Sequence, residues 1–197
     1  MRRGIVVVAL LLVLTLLWRV QTVFSTGAAA HRSEQAAREL AGAILRAQFD
    51  RAGAAPSADT ARSYAFLATL VAEGRIRGLE PVAGGERDLW RGGDYLFHVR
   101  LLNPLQRPIL APPADAAAEP GLGLDFELWA WPAERRATTG ALFFASDAGY
   151  LLQGDNGLHA GVRARPESVD PPPSRLLESA PGGANQRWVA VAQWRPE

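Results

Sequence analysis

The sequence predicts an α+β protein, in which an N-terminal membrane-anchoring helix continues into a domain with a short second helix and an antiparallel β-sheet. Three observations predict it. An apolar run opens the chain from Ile5 to Trp18. Small and apolar residues then recur at helical spacing between Ser33 and Phe49. From Tyr95 onward, segments with apolar residues at every second position alternate with turns rich in Gly and Asp.

The length of 197 residues fits one ordinary domain with attachments, or two small ones. A formal net charge of +1 argues against nucleic acid as a partner, and no basic face interleaved with aromatics occurs. The absence of Cys excludes disulfides, thiolate metal sites and a Cys nucleophile.

The apolar run from Ile5 to Trp18 covers about 21 Å as a helix, against about 30 Å for a hydrocarbon core. Extension to Phe24 lengthens the span but includes Arg19 and Gln21. Arg19 can snorkel to the headgroups, where Trp18 is also at home. Ile5, Val8, Leu12, Leu16 and Trp18 are therefore the candidate lipid-facing residues, with membrane lipid as a partner. A cleaved signal peptide competes with this reading: Arg2 and Arg3 precede an apolar stretch, and Ala28-Ala29-Ala30 offers a small-residue site. That site lies far past the apolar run, which favours a retained anchor. The expected location is the bacterial cytoplasmic (inner) membrane, single-pass, with the C-terminal domain outside the cytoplasm.

The expected organisation is an anchor over 1–24, a globular domain over 25–157, a Pro- and Gly-rich linker over 158–184 and a C-terminal strand over 185–197. Ala37, Leu40, Ile44 and Ala47 make one helical face, and Gly42 allows another element to approach closely. A second helix is expected over 61–72, capped by Asp59 or Thr60 and ended by Gly74, with Tyr64, Leu67 and Val71 on its buried face. Strands are expected over 95–101, 126–131, 141–145 and 150–153, with 146–149 as a hairpin turn and 103–123 as a long loop. The terminal stretch Arg187–Trp194 reads as a further strand, a candidate edge strand of the sheet.

The order of these pieces resembles type IV pilin-like proteins, and more specifically the pseudopilin-like bacterial proteins. The resemblance rests on Ser33-Glu34-Gln35-Ala36-Ala37-Arg38 with Leu45-Arg46-Ala47-Gln48 in the long helix. It rests also on Tyr64, Leu67, Leu70, Gly74 and Ile76, and on Tyr95 and Phe97 in the first long strand. Ala130-Trp131-Pro132 and the stretch from Thr139-Gly140 through Phe143 to Asp147 and Gly149 complete it, over roughly 33–152. The resemblance implies a minor pseudopilin-like scaffold component of a type II secretion-like system, with other envelope or pilin-like proteins as partners. It makes Gly4 a candidate processing site. The position where the family carries the Glu that docks each subunit on its neighbour is Ala9 here.

No catalytic constellation is legible, and the chain reads as non-enzymatic, with no cofactor and no metal site. His31, His98 and His159 have no ligand spacing, and a nucleotide-binding P-loop needs a Lys that the chain lacks. His98 reads as a solvated strand residue. Asp147, Asp155 and Asn156 read as two turns rather than a calcium site. Trp188 and Trp194 are the candidate partner-contact surface, the basis of an alternative reading as a secreted or tethered glycan- or peptide-binding module.

Overall fold

The structure, a computed structural model, describes residues 2–53, 64–83, 88–103, 105–109, 125–134, 140–156, 159–166 and 188–194. The expected helix start and cap at Asp59 or Thr60, and most of the 103–123 loop and of the linker, lie outside the described residues.

The first helix, α1, runs unbroken over Arg2–Gly53, 52 residues. Its burial begins at Ala37 and recurs at Ala41, Ile44, Leu45, Gln48 and Ala52, spacings that place one stripe against a sheet. Leu40, expected on this face, is only half-buried at its rim.

The membrane anchor and the single-pass inner-membrane location are corrected here: among the described residues no helix is long and apolar enough to cross a membrane. Length is not what α1 lacks. Its apolar character is not sustained: Arg19 and Gln21 interrupt it, and Ser25, Thr26, Arg32 and Glu34 follow within the same unbroken helix. The architecture is mixed α+β without that anchor.

The second helix, α2, is a short one over Leu67–Ala72, preceded by extended backbone at Phe66. Tyr64, Leu67 and Leu70 are buried, while Val71 is only partly covered. Gly74 adopts φ +69°, the left-handed conformation that ends a helix at low cost for glycine alone. The amides of Arg75 and Ile76 then return to the carbonyl of Leu70.

Eight antiparallel strands form one sheet: β1 (Glu80–Pro81), β2 (Leu89–Gly92), β3 (Tyr95–Leu102), β4 (Pro108–Ile109), β5 (Asp125–Pro132), β6 (Ala141–Ser146), β7 (Tyr150–Asp155) and β8 (Trp188–Gln193). The order is β1-β2-β3-β5-β6-β7-β8, with β4 beside β3. The C-terminal strand is thus part of the domain sheet, next to β7. Three short strands, β1, β2 and β4, have no counterpart in the sequence expectations.

The sheet is apolar on both faces. Tyr95, Phe97, Val99 and Leu101 of β3 join Phe126, Leu128, Ala130, Phe143 and Ala145 beneath α1 and α2. The intervening residues Leu96, Trp129, Trp131, Leu142, Phe144 and Leu152 form a second cluster on the opposite face. That cluster is partly covered by the segment 159–166, where the indole of Trp131 donates to the carbonyl of Gly161 at 3.0 Å. Trp129 packs edge-on against Phe144 and Trp188.

His98 belongs to this second face and is buried, contrary to its expected solvation. Its Nδ1–H donates to the carbonyl of Asp88 at 3.1 Å. Burial, reinforced by the charge of Arg100, pushes its pKa below the ordinary imidazole value despite that hydrogen bond. Beside it, Arg100 pairs with the buried Glu127.

Candidate assembly surface and the groove beside it

Two structural features bear on what the chain could contact. The first is the N-terminal part of α1. Leu12, Val13, Leu14, Leu16 and Trp18 are exposed by 54 to 69%. At about 100° per residue these positions point around most of the helix circumference. The apolar surface of this stretch is therefore not confined to one face of the helix. Ile5 and Val8 lie on the same helix, with their side chains outside the described ones, as does Gly4, the candidate processing site.

The second is an open groove of about 540 Å³ where α1 leaves the sheet. Arg32, Ser33 and Ala36 of α1 line one wall; Arg77, Gly92 and Asp94 line the other. Gly92 is required there: a Cβ on it would stand 2.5 Å from Leu40 and 3.0 Å from Phe97. The groove therefore exists because a glycine lets the β2–β3 hairpin close on the helix. It brings two guanidinium groups and one carboxylate to the neck of the domain. Nothing in the sequence signals it, because its walls come from positions some sixty residues apart.

Behind these surfaces the polar groups hold the frame. The carboxylate of Asp88 accepts from the amide of Leu67 at 2.9 Å and from the indole N–H of Trp90. It thereby caps α2 from outside the helix, a role that sequence reasoning gave to Asp59 or Thr60. Burial pushes its pKa up, with these hydrogen bonds opposing. Burial also acts upward on Glu73, yet the hydrogen bonds from Arg51 and Arg75 prevail and hold it low.

Asp147 sits in the β6–β7 turn with Asp125 beside it. Partial burial and then the Asp125 carboxylate push its pKa up to about 6. Asp155 lies at the far end of β7, so Asp147 and Asp155 do not converge. The Asn156 side chain bonds the backbone of His159, donating to its carbonyl at 2.6 Å and accepting from its amide at 2.9 Å. It shapes a turn. Among the described residues no three His, Asp or Glu side chains gather in a metal-holding group.

Trp188 and Trp194 are both half-buried. The ring of Trp188 lies flat over Gly154, where a Cβ would come within 2.8 Å of it. The amide of Trp194 donates to the carbonyl of Gly149 at 2.7 Å. Each indole gives much of its surface to the domain.

Comparison with known protein families, with curated proteins and with solved structures finds no match.

Proposed function

We propose that this chain is a pilin-like, non-enzymatic structural subunit whose N-terminal helix packs among the helices of other subunits. One observation carries the reading: the exposed apolar side chains from Leu12 to Trp18 stand on a helix that continues unbroken into the domain core. Fully covering a Leu- or Val-sized side chain contributes about 1.5–3 kcal/mol, so covering these five supplies a gross driving force on the order of 10 kcal/mol, set against the freedom lost on association. Their distribution around the helix calls for several neighbours rather than one, as in a bundle. The pilin-like order of long helix, short helix and antiparallel sheet agrees with a scaffold that presents its domain outward from such a bundle. Ala9 stands where the docking acid would be, so apolar packing would have to hold the neighbours without that charge.

The test is sedimentation of the full chain beside a Leu12→Glu, Leu16→Glu double variant. The wild type is expected to associate beyond a dimer with rising concentration. The variant is expected to lose that association while keeping its circular dichroism and its thermal midpoint. A wild-type chain that stays monomeric, or a variant that associates equally well, overturns the reading.

A further inference from the structure

The two edges of the sheet are built differently. One edge is made of β1 and β4, each two residues long, and each contains a proline, Pro81 and Pro108. Proline has no N–H to donate and marks edges that do not accept another strand. The other edge is β8, six residues reading Trp-Val-Ala-Val-Ala-Gln, with no charge and no proline. Among the described residues its only strand neighbour is β7. A register shift interrupts the β7–β8 pairing at Leu151/Leu152, and Arg38 of α1 donates to the carbonyl of Val191 at 2.6 Å. That hydrogen bond engages the edge at Val191, while the stretch from Trp188 to Ala190 precedes it with Val189 and Ala190 exposed. At its centre, Val189 is 61% exposed.

From this asymmetry we infer that β8 is a self-pairing edge: it joins antiparallel to β8 of a second copy of this chain, about a two-fold axis at Val189. Among the described strands, one arriving from another copy comes from that copy's β8, because the opposite edge carries Pro81 and Pro108. Edge-to-edge pairing between identical edges is isologous and closes at two copies. Val189 then faces its own counterpart, with Trp188 opposite Ala190 in both directions. The contact involves a few residues per chain, well below the roughly 1,200 Å² of a stable interface, and it is accordingly weak. It does not depend on the helix-mediated assembly proposed above.

The absence of Cys makes the test direct. In the full chain carrying Leu12→Glu and Leu16→Glu, which removes helix-driven association, single Val189→Cys and Leu105→Cys variants are oxidised with glutathione disulfide. Directly opposed residues in antiparallel strands lie about 4.5–5.5 Å apart at Cα, within the range a disulfide spans. Val189→Cys is expected to give a covalent dimer several-fold faster than Leu105→Cys, whose position is exposed by 73% but lies away from the edge. Sedimentation of the same background is expected to show a weak dimer that Val189→Lys loses and Val189→Thr retains, since a lysine on an open edge blocks pairing. Equal cross-linking at both positions overturns the inference. So does a background that stays monomeric at millimolar concentration, or a dimer unaffected by Val189→Lys.

Discussion

Gln48 lies on the buried stripe of α1, fully enclosed, where an apolar residue would be expected. Its amide behaves like a short piece of backbone: Nε2 donates to the carbonyl of Ala65 at 2.7 Å, and Oε1 accepts from the amide of Ala65 at 2.9 Å. The pair ties α1 to the chain entering α2 with no strand between them. Gln48→Leu removes both hydrogen bonds and leaves two buried backbone groups unsatisfied, at about 1–3 kcal/mol each. Added apolar surface returns about 1–2 kcal/mol, so the net loss is about 1–4 kcal/mol. Gln48→Glu keeps an acceptor but cannot donate to the Ala65 carbonyl when ionised, and is expected to cost at least as much at pH 7. Urea unfolding followed by tryptophan fluorescence measures both, with the wild-type slope as a check that the same surface is exposed. A loss below about 1 kcal/mol for Gln48→Leu would refute the argument, since it would mean that Ala65 finds other partners at little cost.

Gly42 was expected to allow a close approach, but a Cβ there would meet nothing nearer than 3.8 Å. Gly42→Ala should therefore stabilise the domain by up to about 1 kcal/mol in the same assay; a loss would show that the helix makes closer contact there. Asp147, with its pKa raised from 3.8 to about 6, contributes stability that is present below pH 4 and lost as pH rises through 6. Asp147→Asn should be more stable than wild type at pH 7, by about 1 kcal/mol after discounting for its exposure, and nearly equal at pH 4. His98 acts in the opposite sense. Its lowered pKa makes the folded state lose stability as pH falls below the ordinary imidazole value of 6.5. Urea midpoints of His98→Gln across pH 7.5 to 5 should fall less steeply than wild type; parallel curves would assign the acid sensitivity elsewhere.

Much of this fold is legible in local pattern. Tyr95, Phe97, Val99 and Leu101 alternate, and they do line the face beneath α1. Gly74 announces the end of α2 because only glycine takes that backbone turn without strain. What stays hidden is long-range. β2 follows no apolar alternation, and it is a strand because Leu89 to Gly92 pair with His98 to Tyr95. The α2 cap is Asp88, from beyond the helix, and no local spacing could name it. The second apolar face is concealed because His98, Arg100 and Glu127 interrupt it in sequence, whereas in space Arg100 and Glu127 neutralise one another. The first helix misleads in another way. Its opening run reads as a membrane span by composition, yet it belongs to one helix that turns polar at Arg19 and buries its first described side chain only at Ala37. The groove at the neck and the difference between the two sheet edges are properties of topology alone.

From Leu12 to Ala28 every described side chain of α1 is exposed, over about 25 Å of helix before Ala29 enters the groove and Glu34 meets Gln153 of the sheet. Mechanically it is a lever. A tilt of one degree at the groove carries the Leu12 end through about 0.4 Å at that length. Near its inner end stands Gly27, where a Cβ would meet nothing within 4 Å, a residue of low helix propensity beside the groove. Any rocking of the domain against α1 would be amplified along that lever toward its far end.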